Sequence, residues 1–161
     1  MNWNQTEIRR RLQWRPMLFM LLLSGMLSAC GGPATGPEGE IQSWLDRGIA
    51  ATEAKERDTL MDMISPAYAD ARGYNRARIG TMLSGYFLRM NSIELLPTVN
   101  EITIIGDSAA EVLLTVGMAG TKDSLIGFSA DAYRFSLELE KSAGDWALIS
   151  ARWGQLGEEL Q

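Results

Sequence analysis

Six side chains carry the acid-base chemistry this sequence offers: Tyr68, Asp70, Tyr86, Asp131, Tyr133 and Arg152. An aspartate held in an apolar cavity has its pKa raised by desolvation and can act as a general base, while a tyrosine hydroxyl donates to the enolate oxygen that forms. The chain has no histidine, so the commonest general acid/base is missing and its serines have no imidazole to activate them. A Ser-Lys pair would need Lys55, Lys122 or Lys141, all in apparent loops or turns. With a single cysteine, no Gly-rich phosphate loop and no calcium-loop spacing of carboxylates, neither a metal nor a cofactor is expected. Each candidate also has a plainer reading. Asp70, followed by Arg72 and Gly73, has the form of a capped loop. Asp131 and Arg152 can neutralise one another or sit at a solvated mouth. Tyr86 and Phe87, like Met61, Met63, Met82 and Met118, suit a core.

A different reactive group is Cys30, which ends Leu27-Ser28-Ala29-Cys30 just after an apolar run from Met17. Arg9, Arg10, Arg11 and Arg15 precede that run, so residues 1–29 show the three regions of a secretory signal peptide. Met17 to Ala29 is 13 residues, against about 20 for a membrane-spanning helix. Leu27-Ser28-Ala29-Cys30 resembles the lipobox of bacterial lipoproteins. That resemblance implies alkylation of the Cys30 thiol by a diacylglycerol, cleavage on its amino side and, in many Gram-negative species, a third acyl chain on the new amine. The protein would then sit in the cell envelope on a lipid anchor. Gly31 stands where Asp would favour the inner membrane in enteric bacteria, so the same resemblance favours the outer membrane, facing the periplasm.

Cleavage before Cys30 removes four of 15 basic and one of 20 acidic residues, leaving 11 against 19 and a formal side-chain charge of −8. Nucleic acid and anionic headgroups select clustered Lys and Arg, so neither is an expected partner. Residues 30–39 read as the lipidated cysteine and a flexible Gly/Pro tether, with a reach of roughly 15–18 Å. Residues 40–156 are enough for one core and too few for two domains, and 157–161 form a C-terminal tail. The domain has no cysteine, so packing must hold it together.

The elements that must position the candidate residues come in two halves. Ile41, Trp44, Leu45, Gly48, Ile49 and Thr52 recur at helical steps behind Glu38 and Glu40. Asp58 is a candidate cap for a second, short helix carrying Leu60, Met61 and Ile64 before Ser65-Pro66. Asn75 can cap a third helix to about Met90, with Ile79, Met82, Leu83, Tyr86 and Phe87 on one face. The period then changes to two. A first extended stretch from Ile93 to Ile104 contains Pro97, which marks a bend or an edge. A second strand carries Val112, Leu114, Val116 and Met118 toward the core, a third runs from about Phe128 to Glu140, and a fourth from Trp146 to Trp153. If Lys141 lies opposite Trp146 and the ladder continues without a break, Phe135 meets Arg152 and Arg134 meets Trp153. Asp131, Tyr133 and Arg152 then share the core-facing side. Trp44 and Trp146 are expected core anchors.

This α+β order, three N-terminal helices packed on a curved antiparallel sheet of about four strands, resembles the nuclear transport factor 2-like (SnoaL-like, cystatin-like) cone. Met63-Ile64-Ser65-Pro66-Ala67-Tyr68 and Gly144-Asp145-Trp146-Ala147-Leu148 carry the resemblance, which spans about Ile41 to Trp153. It implies a pocket at the open end of the cone, used for catalysis in ketosteroid isomerases, polyketide cyclases and scytalone dehydratases and for binding or dimerisation elsewhere. The usual strand pair between the second and third helices has only Tyr68 to Tyr74 to occupy. The function expected is a membrane-anchored module binding an apolar small molecule or an envelope protein, with a homodimer through the sheet as one form. The alternative is an enzyme of the isomerase, dehydratase or cyclase type using Asp131 or Asp70.

Overall fold

The computed structural model describes residues 36–122 and 128–161. The leader, Cys30, the tether through Thr35 and the loop at 123–127 lie outside the described residues. Three helices, α1 (Pro37–Glu53), α2 (Arg57–Asp62) and α3 (Arg76–Arg89), precede four strands, β1 (Met90–Ile105), β2 (Ala109–Lys122), β3 (Phe128–Ser142) and β4 (Asp145–Gln155). The strands form one antiparallel sheet in chain order. Among the described residues no helix is long and apolar enough to cross a membrane.

α1 starts earlier than its apolar periodicity shows. Pro37, Glu38 and Gly39, read as tether, form its first turn, because the fixed φ of proline is already helical and the acidic pair suits the positive end of the helix. Ile41, Trp44 and Leu45 are buried against Ala110, Val112, Leu114 and Val116 of β2, Leu139 of β3 and Trp146 of β4. The even positions of β2 therefore face the core, as their alternation predicts. A left-handed residue, Lys55 (φ 57°), ends α1, and its ammonium donates to the carbonyls of Met90 and Asn91 at 3.1 and 3.2 Å. α2 follows at once, so Glu56 rather than Asp58 takes the N-cap position; Asp58 lies in the first turn and pairs with Arg57. Arg76 donates to the carbonyls of Met61 and Ile64, closing the end of α2. Asn75 caps α3, its Oδ1 accepting from the Arg78 amide at 3.0 Å. In place of a strand pair, the segment after α2 makes two isolated bridges, Ile64 with Leu148 of β4 and Ala69 with Asn75.

The β3-β4 hairpin follows its expected register only near the turn. Lys141 pairs with Trp146 and Leu139 with Leu148, but Glu138 pairs with Ser150, leaving Ile149 as an extra residue on β4. This β-bulge shifts the ladder by one and exchanges the faces of everything beyond it. Phe135 lies opposite Trp153 and Ser136 opposite Arg152. The contacts expected from an unbroken ladder, Phe135 with Arg152 and Arg134 with Trp153, are replaced. Trp153 turns inward, and its ring is covered by the Arg72 guanidinium at 4.3 Å.

Both outer strands carry further contacts along their open sides. On β1 the Leu95 amide donates to the Glu53 carboxylate at 2.8 Å, Pro97 has no amide hydrogen, and the ladder to β2 is broken at Asn91 and Asn100. On β4 the Leu148 amide donates to the Met63 carbonyl, while the amides of Ser65 and Ala69 donate to the carbonyls of Leu148 and Ile149. Residues 157–161 fold back beside β4: the Trp153 amide donates to the Gln161 carbonyl at 3.1 Å, and Arg72 donates to the same carbonyl and to that of Trp153.

Candidate functional site

The main cavity, about 610 Å³, opens between α3 and the inner face of the sheet. The helical spacing that places Ile79, Leu83, Tyr86 and Phe87 on one face of α3 aims them at this space, and Met118, Tyr133, Phe135, Leu137 and Trp153 close it from the strands. Gly120 lets β1 and β2 meet at its rim, since a Cβ there would stand 2.7 Å from the Ser92 carbonyl oxygen. The size lies within the range of small-molecule sites, and so does the lining: mostly apolar, with a few polar side chains. A second, smaller space of about 240 Å³ lies against α1 and β2 and is lined by Trp44, Leu45, Ile49, Leu114 and Val116 among others. Thr52, Ile79, Leu83, Phe135 and Leu137 line both spaces.

Four of the six candidate side chains line the main cavity: Tyr68, Tyr86, Asp131 and Tyr133. Tyr86 from α3 faces Tyr133 and Asp131 from β3, and Asp131 is exposed at the rim. Asp70 does not line it. Its Oδ1 accepts the amides of Arg72 and Tyr74 at 3.0 and 2.9 Å and its Oδ2 accepts the Tyr68 hydroxyl at 2.9 Å, which makes it the cap of its loop. Arg152 is carried to the outer face by the bulge at Ile149, where it bonds Ser136 at 3.2 Å and lies 3.5 Å from Glu111 rather than pairing with Asp131. Trp153 and Arg89, which are not among the six candidates, also line the cavity. Trp153 was detectable in principle, because the adjacent apolar pair Leu148-Ile149 breaks strict alternation; nothing local marks Arg89. Among the described residues no group of His, Cys, Asp or Glu is arranged to hold a metal.

Two phenols at this site are pushed above the ordinary tyrosine range. For Tyr68 burial is the main cause, followed by its hydrogen bond to Asp70 and that carboxylate's charge. For Tyr86 burial again leads, followed by Tyr133 and Asp131. Unfolded tyrosines ionise near pH 10, so the stability linked to these raised values is intact below about pH 10 and is lost as pH rises through the folded-state values. The domain is therefore expected to lose stability above pH 10. A Tyr68→Phe variant should be about 1 kcal/mol less stable at pH 7, from the lost hydrogen bond, but fall less steeply with alkali. Urea titrations between pH 7 and 11.5 measure both, and an unchanged alkaline slope would contradict the assignment.

The helices on a meandering four-stranded sheet, with a cavity between α3 and the inner face, define the α+β fold of nuclear transport factor 2-like, cystatin-like proteins. Among solved structures the chain is similar to a nuclear transport factor 2-like superfamily protein from Salmonella enterica, at 14% identity over 74% of this chain and 94% of that one, with a TM-score of 0.61. It is similar to a conserved protein from Planctomyces limnophilus (18% identity, 71% and 91% covered, TM-score 0.65) and to a ketosteroid isomerase-like protein from Erwinia carotovora atroseptica (12%, 74% and 95%, 0.61). These identities show the fold alone. No family model and no curated protein matches the chain.

Proposed function

We propose that this chain is a lipid-anchored envelope protein whose folded domain binds an apolar small molecule in the cavity beneath α3. The observation that carries the binding reading is the cavity itself: about 610 Å³, walled chiefly by aliphatic and aromatic side chains, with only a few polar groups among them. Burying apolar ligand surface there gains roughly 25 cal/mol per Å² without any charged contact. The anchoring reading is carried by the lipobox-like segment ending at Cys30, and Gly31 favours the outer membrane. The outer face of the sheet suits a protein partner less well, since Glu111, Ser136 and Arg152 occupy it as a bonded polar group.

A second reading, an enzyme of the isomerase, dehydratase or cyclase type, is supported by one observation: Asp131, Tyr86 and Tyr133 meet at the mouth of the same cavity. Asp131 would take a proton and a tyrosine would hydrogen-bond the developing oxyanion. Asp70 has no part in this, because both its oxygens are used in its loop.

Native purification followed by mass spectrometry of the small molecules that travel with the protein tests the binding reading. About one apolar molecule per chain is the expected result. A folded protein with no such molecule, and with no saturable uptake of an apolar fluorescent probe, would overturn it. An Asp131→Asn variant separates the readings, since binding should persist while turnover of a ketone or hydroxy-ketone substrate would be abolished.

A further inference from the structure

We infer that Arg72, which does not itself line the cavity, is a positioning residue for the ligand: it clamps the Trp153 indole in the cavity wall, so that this apolar surface is in place before the ligand arrives. The inference rests on the binding reading above and names a residue that governs the affinity of that site without touching what binds there.

Trp153 lies near the end of β4, the last strand of the sheet, and faces inward only because of the bulge at Ile149. It packs against the cluster of Met61, Ile64, Tyr68 and Ala151, and with Tyr68 and Ala151 it lines the cavity. Further support comes from outside the sheet. The Arg72 guanidinium carbon lies 4.3 Å from the centroid of the indole ring. The Tyr74 ring adds an aromatic contact, with the two centroids 6.2 Å apart. One terminal guanidinium nitrogen donates to the Trp153 carbonyl at 2.7 Å, and Nε donates to the Gln161 carbonyl at 3.3 Å. That Gln161 carbonyl also accepts the Trp153 amide at 3.1 Å. Arg72 therefore holds both the ring and the backbone of one wall residue. A guanidinium suits this task, since its planar fork stacks on an aromatic ring while its donors still reach carbonyl oxygens.

Arg72 is itself presented by a fixed turn. Its amide donates to Asp70 Oδ1 at 3.0 Å, and the Gly73 amide donates to the Asp70 carbonyl at 3.0 Å. Gly73 takes the left-handed backbone, φ 77°, that closes this turn. Among the described residues no carboxylate side chain pairs with Arg72, so the indole and the two carbonyls are what its guanidinium serves. Without the clamp an indole on two rotatable bonds samples several positions, and the ligand must order it on binding. The affinity lost is on the order of the free energy of the contact, about three- to tenfold for a cation over a half-buried ring.

Saturable uptake of an uncharged apolar probe, phenylnaphthylamine, by the purified full-length protein reads this affinity. Arg72→Gln is expected to weaken it about three- to tenfold, and to have no further effect once Trp153→Leu has removed the indole. Trp146→Phe, a destabilising change at a residue that does not line the cavity, is the control and should leave the affinity unchanged. Fluorine NMR of protein carrying fluorotryptophan reads the indole directly, with the Trp153 signal assigned by its loss in Trp153→Leu. Arg72→Gln should move that signal toward the position of an unfolded indole and leave those of Trp44 and Trp146 in place. Arg72→Lys keeps a charge but not the fork, should fall between the two in both readings, and carries the test if the glutamine variant does not fold. Equal affinity of Arg72→Gln and wild type, an equal loss in the Trp153→Leu background, or an equal loss in Trp146→Phe would overturn the inference and leave the binding reading standing. No saturable uptake by folded wild-type protein would overturn both.

Discussion

A Cys30→Ser variant is expected to lose all incorporated acyl label and to move from the membrane to the soluble fraction. A serine hydroxyl cannot replace the thiol, whose accessible thiolate is the far better nucleophile. The anchor is all or nothing for physical reasons. Each buried methylene contributes about 0.8 kcal/mol and one acyl chain binds only marginally, so the two or three chains expected on Cys30 hold firmly and none do not hold at all. Nothing else in the expected mature chain replaces them, since a formal charge of −8 is repelled by anionic headgroups. Labelling cells with a tritiated fatty acid and fractionating their membranes reads both effects. A variant that stays on the membrane, or a wild-type protein recovered soluble with residues 1–29 intact, would refute the anchoring reading.

Replacing Trp146 with alanine should produce the largest loss of stability, about 3–5 kcal/mol, a substantial share of the 5–15 kcal/mol typical of a domain. Trp146 is 6% exposed and joins β4 to the core formed by α1 and β2. Its Nε1 donates at 2.9 Å to the Glu40 carboxylate, which also pairs with Lys141, so one carboxylate ties the start of α1 to the hairpin end. The Lys141 bond, and then the Trp146 bond, hold the Glu40 carboxyl below its usual range. The stability this contributes is present above the unfolded value of 4.5 and fades as pH falls through the lowered one. Trp146→Phe keeps most of the packing and loses only the indole hydrogen bond, so it should cost about 1 kcal/mol. Denaturant midpoints with an unchanged m-value measure the difference. Because Trp146 does not line the cavity, whatever fraction stays folded should bind ligand normally. An alanine variant within about 1 kcal/mol of wild type would show that the core is organised elsewhere.

What could be read from the residues follows the range of the forces involved. The alternation of Val112, Leu114 and Val116 is local and names the buried face of β2 directly. The Asn75 cap depends on three residues of chain, and the turn that sets Lys141 opposite Trp146 on four. The bulge at Ile149 is different. It is fixed by partners far away in sequence, Met63, Ser65 and Ala69, which take hydrogen bonds from or give them to Leu148 and Ile149. An unbroken ladder therefore places Arg152 in the cavity and Trp153 outside it, the reverse of their positions in the fold. Three hydrogen bonds, made only in the folded loop, decide that Asp70 is a cap, and Arg89 reaches the cavity because it is the last residue of α3.

The contacts along β1 and β4 have a further consequence. A sheet edge with free amides and carbonyls is a template on which another copy can add a strand, and the hazard grows when copies are held together at high local density. Here Glu53, Pro97 and two register breaks interrupt one template, while Met63–Ala69 and the terminal Gln161 occupy the other. The domain is thereby protected at both edges against strand-by-strand polymerisation, a property that suits a protein crowded on a surface. Deleting the last five residues should first be felt as self-association along β4.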